Sequence, residues 1–378
     1  MDIRDLIKID PQDIRLGAPT RQDIYSADGQ LFLGRFATVY RLETVERLQE
    51  EGYKLKPDGK QAGANRTQAQ VFSRIGDIAD KLVEFERVLA AGQSVGSFTL
   101  KFQTLAKAVI QCCKDDPDAA LAQSYLDYHH PYSVLHHILV AVVVCVISPD
   151  LGWNEAERVS LVAAALTHDL GTLAMRHELA STEKLDEAKL QFVHAHPEAG
   201  VHILMEMGVT DPLWLEVIRD HHEHLDGSGY PKGIKVDPYS AASMMSVADG
   251  FAAMMRPRPY RNRVLGAAIL ADLYRYVGTR YVLAPIETIS RYIGSYHAGS
   301  IVRLANGEMA VVTRHRPEQP ETPELLLIAA EGDQPMDKPY AIDSSAPEYA
   351  ITAALQPEVS LRFRSMVNKS WGGDLHGQ

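Results

Sequence analysis

The sequence predicts a mainly α-helical protein, with a smaller α/β region ahead of the helices and a β-hairpin behind them. Three observations carry that prediction. From Phe98 to about Tyr296, apolar residues recur at helical spacing. In residues 1–96, short apolar runs flank a turn signal at Asp28-Gly29. After Ile301 the period drops to two around Asn306-Gly307, the pair favoured in two-residue hairpin turns. At 378 residues the chain has room for two or three domains. The expected divisions are 1–96 as a regulatory or dimerisation region, 97–330 as the main domain with its closing hairpin, and 331–378 as a loosely packed tail.

The elements follow in order. Asp23 to Leu33 reads as a hairpin, and Leu42 to Glu51 as an amphipathic helix stopped by Gly52. The polar run Lys56 to Arg66 reads as a loop. Thr67 to Ala91 is a long helix whose stripe, Val71, Ile75, Ile78, Leu82, Phe85 and Leu89, should pack on the main domain or on a second subunit in a homodimer. Helices are then expected at Thr99–Cys113, Leu121–Ile147 and Glu155–Leu166, the last capped by Asn154. Glu183–His194 and His196–Met207 follow, with Pro197 suited to a first helical position, and then Pro212–Glu223, Tyr239–Met255, Val264–Val277 and Ile286–Ile293. Ile301–Leu304 and Glu308–Thr313 form the hairpin, and Leu325–Ala329 could add a strand.

Composition excludes several classes. Hydrophobic residues at 46% and charged residues at 23% fit a globular chain rather than a disordered or collagenous one. A net charge of -11 argues against a general DNA-binding groove, which needs a basic face. The three cysteines have no Cys-x-x-Cys spacing, so a disulfide framework or cysteine zinc site is not expected. The longest apolar run, Ile138–Ile147, is far short of the ~20 residues needed to cross a bilayer. With no signal-peptide core at the start, the expectation is a soluble cytoplasmic protein that engages neither DNA nor membrane.

Twelve of the fifteen histidines fall between His129 and His224, and their company is what points to chemistry. His168-Asp169 ends an apolar helix, where an imidazole and a neighbouring carboxylate can both reach a metal, and the carboxylate has a second oxygen with which to bridge. A lone pair of this kind is weak. The run His221-His222-Glu223-His224-Leu225-Asp226-Gly227-Ser228-Gly229-Tyr230-Pro231 adds adjacent histidines closing a helix under a rigid Gly-rich turn. His136, His196 and Asp249 complete the set; the last is a carboxylate in an apolar helix, which needs a partner if buried. Five imidazoles and two carboxylates suit iron, manganese, zinc or nickel, and seven ligands are too many for one tetrahedral ion. The arithmetic asks for two metals.

With these residues in place, roughly Phe98 to Arg316 resembles the HD-GYP family, a bacterial branch of the HD phosphohydrolases. The similarity rests on His168-Asp169-Leu-Gly171, His196-Pro197, the eleven-residue run from His221 to Pro231, Asp249, Arg258-Pro-Tyr-Arg261 and the closing hairpin. It implies an HD-type helical domain that cleaves cyclic di-GMP to linear pGpG, and on to GMP if the linear product is retained, through a hydroxide bridging two metals. By the same resemblance His136, His168, Asp169, His196, His221, His222 and Asp249 are the metal ligands, with Asp169 bridging and two divalent ions, iron or manganese ahead of zinc or nickel. Arg258 and Arg261, with Tyr230 and Thr172, are the implied substrate contacts, and the Gly-Tyr-Pro loop is an implied docking surface for diguanylate cyclase (GGDEF) proteins.

Two departures bear on activity. Thr172 stands where the family usually has Lys, and Tyr132 where three-metal members carry Glu, which favours two metals here. Beside the phosphodiesterase reading stand a weakly active or non-catalytic cyclic di-GMP sensor, and an HD hydrolase of another nucleotide such as a cyclic GMP-AMP hybrid or a guanosine polyphosphate.

Overall fold

The computed structural model describes residues 6–14, 16, 20, 24–33, 39, 41–55, 59–127, 129–149, 152–175, 186–256, 264–355 and 371. The chain divides into two compact units, Met1–Arg66 and Thr67–Gln378. In the first, strands β1 (Leu6–Lys8), β2 (Ile24–Tyr25), β3 (Leu31–Leu33) and β4 (Tyr53–Leu55) form an antiparallel sheet in the order β1-β4-β2-β3. Helix α1 (Leu42–Glu51) adds Val45 and Leu48 to a small core with Ile9, Ile14 and Ile24.

The break at Arg66, rather than near residue 96, is a correction to the expected division, as is the helix that begins inside the expected 56–66 loop. Helix α2 (Gly59–Ala90) crosses that boundary, and from Thr67 onward it belongs with the second unit because its stripe, Val71, Ile75, Ile78 and Leu82, is buried in that unit's core with Phe98 and Phe102. Burial of such a stripe contributes roughly 25 cal/mol per Å² of apolar surface.

Helices α3 (Phe98–Asp115), α4 (Pro117–Leu126), α5 (Tyr132–Ile147) and α6 (Glu155–Ala165) follow, α6 opening with the expected cap: Asn154 accepts from the Glu157 amide at 3.0 Å. The single helix expected over Leu121–Ile147 is two, because Pro131 disfavours helical geometry before it and the Asp127 carboxylate takes the amides of His129 and His130. Helix α5 is apolar on every side and lies at the centre, packed on α3, α4 and α6. Beyond it come α7 (Glu187–Glu206), α8 (Pro212–Asp220), α9 (Ala241–Met255), α10 (Gly266–Arg275) and α11 (Leu283–Tyr292). The two helices expected on either side of His196 are one, with Pro197 inside α7.

The C-terminal hairpin is the centre of a larger sheet. Strands β5 (Ile301–Leu304), β6 (Met309–Arg314), β7 (Glu324–Ala330), β8 (Gln334–Asp343) and β9 (Ile351–Ala354) run antiparallel in the order β8-β7-β6-β5-β9. The loose tail expected from 331 onward is therefore corrected for residues 331–355, which carry β8 and β9; 356–370 and 372–378 lie outside the described residues. Pro335 and Pro339 hid β8 from a sequence reading, yet β8 is an edge strand, where proline is tolerated. Trp371 is also buried, its ring stacked on Phe72 at 6.3 Å. No helix among the described residues is long and apolar enough to cross a membrane.

Candidate metal centre

The centre lies where the start of α5, the end of α6, the middle of α7, the end of α8 and α9 converge. Helix α5 contributes His136, and α9 contributes Asp249, with His136 Nε2 and Asp249 Oδ1 2.9 Å apart. His168 and Asp169 follow the last turn of α6, and the 3-10 turn Leu170–Thr172 ends the segment. That turn lies against α7 so closely that a Cβ at Gly171 would run into the His196 carbonyl oxygen. Glycine is required there, and it brings Asp169 to His196: Oδ1 of Asp169 is 3.4 Å from His196 Nε2, while Oδ2 is 3.6 Å from His168 Nε2.

Three histidines are oriented in the same way. The Nδ1 atoms of His168, His196 and His221 lie at hydrogen-bond distance from the carbonyls of Ala165 (2.8 Å), Val193 (2.6 Å) and Ile218 (2.8 Å), each three residues earlier. Two of these carbonyls are free because α6 and α8 end there. Val193 is free for another reason: the residue four positions on is Pro197, which has no N–H to give it. With Nδ1 donating, Nε2 keeps its lone pair. In all three the Nε2 atom is buried without a hydrogen-bond partner, a costly arrangement unless something else binds it. A ring nitrogen committed to a carbonyl, with its opposite nitrogen open, is how metal-ligating histidines are fixed.

Charge follows burial. Desolvation alone raises the carboxyls of Asp169 and Asp249, but the surrounding imidazoles outweigh it and hold both below the usual carboxylate range. Burial lowers His196 and His222, and with His168 and His196 beside it pushes His221 down to about 3. Ionised carboxylates and neutral imidazoles are the protonation states a divalent cation needs.

The structure therefore brings together all seven residues singled out for metal. Donor atoms of Asp169, His196, His221 and His222 lie within 4.8 Å of one another, as do those of His136, His168 and Asp249. Tyr230 caps the site, sandwiched between His222 (ring centroids 4.6 Å) and His194 (4.5 Å). Its loop is held from beneath by buried Glu223, which accepts the Lys232 and Ile234 amides at 2.7 and 3.0 Å, and a Cβ at Gly229 would collide with the backbone of residues 222–224. Thr172 lies beside the site but its hydroxyl donates to the Asp169 carbonyl at 2.8 Å. Arg258 and Arg261 lie outside the described residues. Sequence reasoning missed His137 and His194: the first looks like a core residue of an apolar helix, and the second has no signal beyond proximity to His196.

Comparison with known proteins agrees. The HD domain family profile matches residues 120–281. The cyclic di-GMP phosphodiesterase PA4108 of Pseudomonas aeruginosa is 24% identical over 260 residues, 68% of this chain and 62% of that protein. The 3'3'-cGAMP-specific phosphodiesterase 3 of Vibrio cholerae is 31% identical over 198 residues, 49% of this chain and 41% of that protein. The chain thus spans less than two thirds of either relative. Among solved structures, Bd1817, an HDG"Y"P protein from Bdellovibrio bacteriovorus, aligns with a TM-score of 0.48 at 17% identity, over 75% of this chain and 98% of that one. Residues 120–281, which carry both motifs and the cluster of imidazoles and carboxylates, match the HD domain family, and the curated relatives that align with this segment are named cyclic-dinucleotide phosphodiesterases.

Proposed function

We propose that this chain is a metal-dependent phosphodiesterase that hydrolyses cyclic di-GMP to linear pGpG. One observation carries the reading: Asp169 turns one oxygen toward His196 and the other toward His168, so a single carboxylate faces both clusters of donors. His136, His168, Asp169 and Asp249 would hold one ion; Asp169, His196, His221 and His222 would hold the other. The orphaned Nε2 atoms of His168, His196 and His221 fit that assignment. Iron or manganese is the proposed metal, the donor set also suiting zinc or nickel. Two divalent ions supply Lewis-acid charge at a scissile phosphate and lower the pKa of an attacking water.

The chain's own residues do the rest. Carbonyls behind His168, His196 and His221 keep three rings aimed before substrate arrives. Asp169 sets the register between the two clusters. Arg258 and Arg261 are assigned to phosphate or guanine, and Tyr230 forms a wall of the mouth. Water adds to phosphorus in line with the ribose 3′-oxygen, whose bond to phosphorus breaks, and the opened ring is pGpG. The Gly-Tyr-Pro loop, exposed at Asp226 and Ser228, is the surface proposed for a diguanylate cyclase.

The likeness to a relative named for 3'3'-cGAMP supports a second substrate, the hybrid cyclic dinucleotide. The test is incubation of the full chain with each dinucleotide under iron(II) and under manganese(II), with products separated by chromatography. The proposal expects a linear dinucleotide from cyclic di-GMP, absent in Asp169→Ala. Faster cleavage of the hybrid would transfer the assignment to it. Tight binding of cyclic di-GMP without cleavage under either metal would make the chain a receptor.

A further inference from the structure

We propose that His137, whose ring faces Glu86 of α2, is a further ligand of the ion on the His168 side, so that α2 borders the metal centre. This rests on the two-metal reading above. His137 is 1% exposed, follows His136 on α5, and packs edge-on to His168 with ring centroids 4.9 Å apart. The donor atoms of His137, His168 and Asp169 form a third group within 4.8 Å of one another. Behind the ring, Nδ1 of His137 faces Glu86 Oε1 at 3.6 Å, and the other oxygen of Glu86 accepts the Ser133 hydroxyl at 3.2 Å. A carboxylate behind one imidazole nitrogen is the arrangement that aims the opposite nitrogen at a metal.

The third group does not describe a third ion. His168 offers only Nε2, since its Nδ1 is committed to the Ala165 carbonyl. Both groups that contain His168 must therefore serve the same ion, whose donors become His136, His137, His168, Asp169 and Asp249. The other ion keeps Asp169, His196, His221 and His222. With five donors assigned to the His168 side and four to the His196 side, the two ions would be held by unequal numbers of protein ligands.

The test uses the full chain loaded with cobalt(II), with the affinity of each ion measured by chelator competition and coordination read from visible absorption. His137→Gln should weaken one ion at least tenfold, leave the other unchanged, and intensify the absorption as a ligand is lost. Glu86→Gln, which keeps shape and packing, should weaken the same ion by roughly 10–100-fold, the range for an orienting carboxylate. Unchanged affinities and absorption in His137→Gln, with only a lower melting temperature of the metal-free protein, would show a packing role and overturn the inference alone. Failure of the unmodified chain to take up two ions would overturn the two-metal reading as well.

Discussion

Thr172 spends its hydroxyl on the Asp169 carbonyl, so it offers neither charge nor a free donor to a phosphate. Thr172→Lys should raise turnover of cyclic di-GMP, by up to the roughly 10²–10³-fold that one well-placed donor contributes. Steady-state rates at saturating metal check this, and an unchanged rate would mean that another cation already serves. Pro197 acts in the opposite sense. Pro197→Ala restores an N–H that competes with His196 Nδ1 for the Val193 carbonyl. Metal affinity should fall about tenfold, the scale of losing an orienting partner, while the metal-free protein becomes more stable by up to about 3 kcal/mol as a proline leaves a helix interior. Opposite signs from chelator competition and from melting are the signature. At this scale the convergence of the seven candidates was legible in the sequence, because the His-Asp pair, weak alone, stands with the eleven-residue run from His221 to Pro231. His137 was not legible, since its meaning depends on Glu86, 51 positions away and visible only once α2 packs on α5.

Among the elements, α2 is pinned to the start of α5 by a second contact: His130 lies 2.7 Å from Asp127 and 3.1 Å from Asp80 of α2. The Asp127 hydrogen bond, with Asp80 behind it, overcomes burial and raises His130 to about 9. A raised folded-state value means that the contribution to stability is complete below the unfolded pKa of about 6.5 and is lost as pH rises through about 9. The melting-temperature gap between wild type and His130→Gln should therefore close between pH 6.5 and 9.5, by less than a fully buried pair would give because the ring is partly solvated. A gap that widens over that range would contradict the assignment. Helix limits were legible at Asn154 and Gly52, where a cap marks them, and were missed at Pro131. They were misread at Pro197, where tertiary packing carries a helix through a residue that locally favours a start.

For the whole molecule, the part least visible in sequence is the C-terminal segment. Polar, proline-containing strands at a sheet edge carry little hydrophobic signal, and Trp371 lies far along the chain from the Phe72 ring it covers. Trp371→Ala should destabilise the second unit by about 3–5 kcal/mol, as for other buried tryptophans, and thermal or urea unfolding will register it. An effect under about 0.5 kcal/mol would mean that the contact is incidental. The same packing logic placed α2 from Thr67 onward with the helical unit, so the unit that ends at Arg66 is smaller than periodicity alone suggested.

The central claim is that seven side chains from five segments form one two-metal centre bridged by Asp169. Anomalous diffraction from crystals of the manganese-loaded chain tests it most directly. The account predicts two peaks about 3.5–4 Å apart with one Asp169 oxygen on each, one ion among His136, His168 and Asp249 and the other among His196, His221 and His222. A single peak, or peaks that leave His221 and His222 without a metal, would contradict it.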